Sequence, residues 1–225
     1  NQELSLVSQK YTVENAGITT NLSARTAAYD KALNLLQGVQ LTSQSGSTYL
    51  AKYPKESFPL LSDLDRLLSA DIQKARALLT SYTAEPAVIT NDLLIQKLQN
   101  ETADLLQKLE VLQSQVRSNR TIAQQQSALA DSLKLEGDRR FTEAQSALRS
   151  LNFDLARQRL QQSGERYDAS LAVQESQELR SLRDQRLLSL AAEISRTENE
   201  TVVRDVRRLI TEAKKSYFTG DFTRA

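Results

Sequence analysis

The chain has 225 residues, with no cysteine, methionine, histidine or tryptophan and only 6 glycines and 3 prolines. Without histidine or cysteine it lacks the side chains that build the familiar triads, zinc sites, haem ligation and dithiol centres. Its 29 basic and 28 acidic residues give a net charge of +1. The signs balance locally too, with 8 of each in residues 1–90, 8 of each in 91–150, and 13 basic against 12 acidic in 151–225. That leaves no concentrated positive field of the kind that binds DNA or RNA through phosphates.

The 36 leucines and 21 glutamines, with many Ala, Glu, Arg and Lys, are residues that lose little side-chain freedom in a helix, so the composition predicts an all-α chain. Leu4, Val7 and Tyr11, then Leu22, Tyr29, Leu33 and Leu36, recur mostly at three-, four- and seven-residue steps. They predict two helices, or one broken near Gly17. Residues 41–59, containing Thr42-Ser43-Gln44-Ser45-Gly46-Ser47-Thr48 and the steps Tyr53-Pro54 and Phe58-Pro59, read as a Ser/Thr/Pro loop. Helix is expected to resume at or after Pro59.

The stripe Leu60, Leu61, Leu64, Leu67, Leu68, Ile72, Ala75, Leu78, Leu79 and Tyr82 predicts a helix ending at Glu85-Pro86. A long helix is then expected at about 87–136. Within it Ile95, Leu98, Leu105, Leu109, Leu112 and Val116 alternate three- and four-residue steps, interrupted by Thr102, as a short coiled-coil seam does. The seam weakens at Asn119, Ala123 and Gln126 and returns at Ala130 and Leu133 before Gly137. Burial inside a helical hairpin or bundle is favoured over a dimer interface, which usually needs three to four sustained heptads.

From Phe141 the texture changes to alanine-rich hairpin units. Ala144, Ala147, Leu151, Phe153, Ala156, Leu160 and Ser163 are followed by Leu171, Leu179, Leu182, Leu187, Leu190 and Ile194, predicting a long helix to about Arg196. Asn199 offers an N-cap for a helix carrying Val202, Val203, Val206, Leu209, Ile210 and Ala213, which ends at Tyr217-Phe218-Thr219-Gly220. The domain reading is therefore N-terminal helical hairpins over 1–86, a long helix or coiled-coil-like segment over 87–140, and helical repeats over 141–225.

The last 13 residues read A-x-x-x-Y-F-x-G-D-F-x-x-A from Ala213 to Ala225. Gly220 suits a left-handed helix end, Asp221 can cap the next helix, Phe222 fills the wedge between two helices and Ala225 lets them approach. The segment resembles the helix-turn-helix junction of a tetratricopeptide repeat. A second copy without the turn glycine runs from Ala144 to Leu160, with Asn152 and Phe153 in the places of Asp221 and Phe222. Phe153 and Phe222 lie 69 residues apart, near two ~34-residue periods, yet the stretch around Leu187, where a middle repeat should centre, reads as continuous helix. The Gln-, Leu- and Arg-rich texture is also similar to large helical repeat proteins of bacterial envelopes, including those of spirochaetes. The resemblance implies a non-catalytic scaffold that binds peptides or proteins, and a truncated last repeat.

Candidate sites for other chemistry are weak. Arg204, Arg207, Arg208, Lys214 and Lys215 cluster on one predicted helix but are diluted by Asp205 and Glu212, and read as solvated surface, as do Arg139 and Arg140 beside Asp138. Asp63 with Asp65 and Glu198 with Glu200 are paired carboxylates, but residues two apart on a helix diverge and no glycine-bearing calcium loop accompanies them. No phosphate-binding glycine motif occurs among the isolated glycines. The aromatic residues Tyr29, Phe141, Phe153, Tyr167, Tyr217, Phe218 and Phe222 read as wedges between helices.

No apolar run reaches the ~20 residues that span a bilayer. The start at Asn1-Gln2-Glu3-Leu4 lacks an initiator methionine and a signal peptide, as expected if a targeting peptide were cleaved or the chain cut from a longer protein. The absence of cysteine permits a periplasmic or other extracytoplasmic location. The leading expectation is a non-catalytic protein or peptide-binding scaffold, monomeric or homodimeric, with no catalytic residues, cofactor or metal. The alternatives are an oligomerising coiled-coil module using residues 95–116, and an extracytoplasmic helical sensor domain.

Overall fold

A computed structural model describes residues 2–37, 40–43, 46–49, 53–84 and 93–220. The described residues form five helices: α1 (Gln2–Gln37), α2 (Pro54–Ala84), α3 (Leu93–Arg149), α4 (Phe153–Val173) and α5 (Gln177–Phe218). The fold is an all-α helical array. Two short strands, β1 (Gln40–Ser43) and β2 (Gly46–Tyr49), pair antiparallel between α1 and α2, with Gln40 opposite Tyr49 and Ser43 opposite Gly46. The chain divides into two compact units, Asn1–Ala128 and Leu129–Ala225. The long segment expected over 87–140 contributes α3 residues to both.

In the first unit α1, α2 and the first part of α3 form a three-helix bundle. Partners run in opposite directions along α1 and α2, from Tyr11 against Tyr82 to Arg25 against Asp71. They run in the same direction along α1 and α3, from Asn15 with Thr102 to Tyr29 with Asn119. Each helix offers a buried stripe, Leu61, Leu64, Leu68, Ile72 and Ala75 on α2 and Ile95 to Val116 on α3 at three- and four-residue steps, and Tyr11, Ile18, Ala32 and Leu36 on α1 at multiples of seven and a final step of four. Side-by-side packing, antiparallel for α1–α2 and α2–α3 and parallel for α1–α3, follows from that spacing.

Several local expectations are corrected. Gly17 does not break α1. The helix runs through it because Asn15 and Ile18 on either side are anchored in the core, and Gly17 itself faces open space. Helix also resumes earlier than Pro59. Pro54 is the first residue of α2, where a missing N–H costs nothing, the Tyr53 carbonyl accepts from Ser57 N at 3.0 Å, and Pro59 lies within the helix. The loop expected over 41–59 is thus shorter, and part of it pairs as the two-stranded ribbon.

The long helix does not stop near Gly137 but reaches Arg149. The turn after it forms at Leu151, which takes φ 57°. Asn152 N donates to the Ala147 carbonyl and Leu151 N to the Leu148 carbonyl, both at 2.9 Å, the hydrogen bonds of a Schellman end. Leu151 thus occupies the place that Gly220 holds 69 residues later, at φ 77° with N–H to the Tyr217 carbonyl at 3.2 Å. Asn152 caps α4 by accepting from Leu155 N at 3.2 Å.

The helix expected to run on to Arg196 is interrupted at Gln174 and Ser176, which are extended, with Ser176 Oγ capping Leu179 N at 3.1 Å. Asn199 is not a cap; α5 passes through it without a break. The two turns at 69-residue spacing therefore enclose one long two-helix unit, not two units of about half that length.

The second unit packs through small residues. Ser163 Oγ donates to the Gly137 carbonyl and Ser170 Oγ to the Ala130 carbonyl, each at 2.8 Å, so α4 lies antiparallel against α3. The Tyr167 ring covers Gly137 so closely that a Cβ there would sit 2.7 Å from it. Ala144, Ala147, Leu148, Ala156, Leu160, Leu190 and Ile194 form the core around this seam.

Two predictions separate the glycines and the turn. Gly17→Ala is expected to raise stability by about 0.5–1 kcal/mol through helix propensity alone. Gly137→Ala is expected to lower it by about 1–3 kcal/mol, because the new methyl overpacks Tyr167. Urea titration followed by circular dichroism reads both signs. Leu151→Gly, which removes a left-handed leucine, is expected to raise the unfolding free energy by about 0.5–1 kcal/mol after the greater unfolded-state freedom of glycine is subtracted, read as a higher urea midpoint; an unchanged or lower midpoint contradicts that account.

Candidate functional site

The sequence-nominated carboxylates are tied up in structural ion pairs. Asp65 is only 8% exposed and accepts from Gln113 Nε2 at 3.0 Å, Arg117 Nε at 2.8 Å and Arg120 Nη1 at 2.9 Å. Asp63 points to solvent beside Arg66, so the two carboxylates are not brought together. Glu198 pairs with Arg157 from α4, while Glu200 lies 3.9 Å from Arg196. Among the described residues no group of three or more His, Cys, Asp or Glu side chains could hold a metal ion, and no helix is long and apolar enough to cross a membrane.

The basic cluster on α5 stays on the surface. Arg208 pairs with Glu212 at 3.1 Å and approaches Asp205 at 4.0 Å, and Arg204, Arg207, Lys214 and Lys215 are all exposed. Arg139 and Arg140 both face Glu143, at 3.7 and 2.9 Å. Of the aromatic wedges, Tyr167 is fully buried and Tyr29, Phe141 and Phe153 are partly so. Tyr217 and Phe218 are exposed and meet edge to face. Phe222, with Asp221 and Ala225, lies outside the described residues.

Two buried polar networks were not legible as such. In the first unit, Thr102 Oγ1 lies 2.7 Å from Asn15 Oδ1 and 2.8 Å from the Leu98 carbonyl, and Asn15 Nδ2 donates to that carbonyl at 3.0 Å. Tyr82, stacked on Tyr11 at 4.0 Å between ring centroids, reaches Thr102 at 3.3 Å, and burial pushes its phenol up. In the second unit, Asp138 accepts from Tyr167 Oη at 2.7 Å, from Lys134 Nζ at 3.0 Å and from Arg186, which also donates to Tyr167 Oη at 2.6 Å and covers the Phe141 ring. Burial alone would raise the Asp138 carboxyl, but the hydrogen bonds from Tyr167, Lys134 and Arg186 outweigh it and hold the group below its ordinary value. Both networks join helices that are distant in sequence.

A groove of about 670 Å³ lies between α4 and α5. Its floor is apolar, formed by Leu160, Leu187, Leu188, Ala191 and Ile194. Gly164 opens it, since a Cβ there would lie 3.1 Å from Leu187 Cδ1. At its edges Arg157 pairs with Glu198 and Asp168 with Arg183, so the rim charges compensate one another. Leu188 is 73% exposed at this groove. The arrangement can bury a row of apolar side chains, and Gln161, Glu165 and Ser195 add polar groups to its lining. A second groove, about 640 Å³ between α1 and α3, is lined by Leu22, Val111 and Leu112 together with Asp104, Gln107 and Lys108.

The chain is 29% identical over 154 residues to a protein of Treponema pallidum (strain Nichols) described only as uncharacterized, a match covering 68% of this chain and 14% of that protein. The chain thus spans a small part of the relative's length. No family model matches, and no solved structure matches.

The Asp138 network carries a pH prediction. A carboxyl whose folded-state value is depressed stabilises the fold above its unfolded value and loses that contribution as pH falls through the folded one. The stability gap between the natural chain and Asp138→Asn is therefore expected to be largest near neutrality and to close as pH drops below about 3.8, the ordinary carboxylate value. Urea midpoints at a series of pH values check this, and a gap independent of pH contradicts it.

Proposed function

We propose that this chain is a non-catalytic scaffold that holds a peptide or protein partner, in an extracytoplasmic compartment, with the α4–α5 groove taking an amphipathic segment of that partner. The observation that carries the reading is the apolar floor at Leu188, Ala191 and Ile194 between charge-paired rims. Such a surface gains from covering apolar area and selects through its polar edge. The turn at Leu151-Asn152-Phe153 supports the tetratricopeptide-like resemblance, because it reproduces the hydrogen-bonded helix end expected of such a junction without its glycine. Similarity to a Treponema protein supports the spirochaetal side of the resemblance.

The coiled-coil alternative needs residues 95–116 at a dimer seam. Ile95, Leu98, Leu105, Leu109, Leu112 and Val116 are already buried in the core of the first unit, which favours the scaffold reading.

Selection from a displayed library of amphipathic helical peptides is expected to enrich sequences with apolar residues at i, i+3 or i+4 and i+7. Their affinity is expected to fall at least tenfold on Leu188→Asp, a change at a side chain exposed enough to leave the fold intact. Binders indifferent to Leu188→Asp, or none at all, would sink the proposal.

A further inference from the structure

Helix α5 is twice as long as α4, 42 residues against 21. The two run antiparallel, with Asp168 against Arg183, Gly164 against Leu187 and Arg157 against Glu198, so α5 runs on past the start of α4. Beyond Glu198 it carries Val202, Val203, Val206, Leu209 and Ile210, each about half exposed, Val206 at 48% and Leu209 at 56%. The side of α5 that packs in the second unit, at Leu187, Leu190 and Ile194, lies about 100–160° round the helix from Val206. The apolar face past Glu198 is therefore a surface of its own, and five aliphatic side chains exposed together mark an interaction site.

Within that face Asn199, Val202, Val206, Leu209 and Ala213 alternate steps of three and four residues, the spacing of a seam between two helices. Asn199, Val206 and Ala213 take one heptad position and Val202 and Leu209 the other. The flanks of the seam differ in sign. Asp205 and Glu212 lie about 100–120° to one side of Val206, and Arg207 and Lys214 about 80–100° to the other. The two acids share Arg208 of their own helix, at 4.0 and 3.1 Å, while Arg207 and Lys214 make no ion pair among the described residues.

That asymmetry selects the occupant and its direction. Two such helices laid face to face and pointing the same way bring the acidic flank of each against the basic flank of the other, Asp205 beside Arg207 and Glu212 beside Lys214, twice over by two-fold symmetry. Pointing opposite ways, they set acids against acids and bases against bases. We infer that the Val206 face of α5 docks on the same face of a second copy of this chain, parallel and in register. Asn199 then meets its own counterpart, and one polar residue in a seam fixes register and strand number at some cost in stability. The surface lies beyond the groove at Leu188, and either can fail alone.

Light scattering over a concentration series of the 225-residue chain, of monomer mass 25.2 kDa, is expected to show twice that mass. Val206→Asp, at a half-exposed position and with helicity checked by circular dichroism, is expected to raise the dissociation constant at least tenfold, as is the double reversal Asp205→Arg with Glu212→Lys. Mixing that reversal with Arg207→Asp plus Lys214→Glu is expected to restore a dimer of one chain of each kind. The cysteine-free sequence reads the direction. Asn199→Cys and Ala213→Cys, each alone, are expected to form a disulfide between two copies, whereas an antiparallel pair centred on Val206 links only a mixture of the two. Monomer at every concentration, a dimer indifferent to Val206→Asp or to charge reversal, or cross-linking confined to the mixture overturns the inference.

Discussion

The packing of both units depends on a single stripe of α3. From Ile95 through Leu98, Thr102, Leu105, Leu109 and Leu112 to Val116, buried positions recur at three- and four-residue intervals, and from Val116 through Ala123, Ala130 and Gly137 to Ala144 buried or close-packed positions recur every seven. What changes along the stripe is side-chain size. Leucine and valine dominate to Val116, and alanine and glycine from Ala123 onward. Large knobs hold neighbouring helix backbones apart and interdigitate, whereas small residues let a neighbour approach until its side chains reach the backbone. The change is visible in the bonds made: Asn119 still meets Tyr29 side chain to side chain, while Ser163 and Ser170 reach the carbonyls of Gly137 and Ala130 directly. The division of the chain after Ala128 therefore follows a change in packing mode within one uninterrupted helix.

Polar residues inserted in these seams give direction to contacts that apolar packing alone leaves degenerate. A heptad stripe of leucines can slide by one heptad at modest cost; a buried Asn15 matched to Thr102 cannot, because a shift strands both side chains away from water. Asp65, meeting Gln113, Arg117 and Arg120, pins α2 to α3 in the same way. Asp138 with Tyr167 and Arg186 draws together α3, α4 and α5. Of the carboxylates the sequence pairs, Asp65 and Glu198 are thus engaged in bonds between helices, while Asp63 and Glu200 stay on the surface beside Arg66 and Arg196.

Much of the helical framework was readable because it rests on local periodicity. The stripes of α2 and of α3 to Val116 follow from spacing alone. The rest depends on partners distant in sequence. Thr102 looked like an interruption because Asn15, which satisfies it, lies 87 residues away. Gly17 and Asn199 carry break and cap chemistry, yet helix passes through both. Leu151 is the converse case: nothing in leucine announces a left-handed turn, and the position is imposed by Phe153, Ala156 and Leu160 packing back on Ala144 and Leu148. The α4–α5 groove was not legible at all, since its walls meet only because the chain turns at Gln174–Ser176, a site whose single local signal is the Ser176 cap.

That pattern bears on what kind of work the molecule can do. The polar groups of both networks are spent on one another, Asn15 on Thr102 and Asp138 on Tyr167, Lys134 and Arg186. Apolar surface, by contrast, is left over, in the groove at Leu188 and along α5 beyond Glu198. Because α5 stays amphipathic after α4 has ended, the excess is continuous along α5. Among the described residues, the free energy left to gain lies in covering these helical faces.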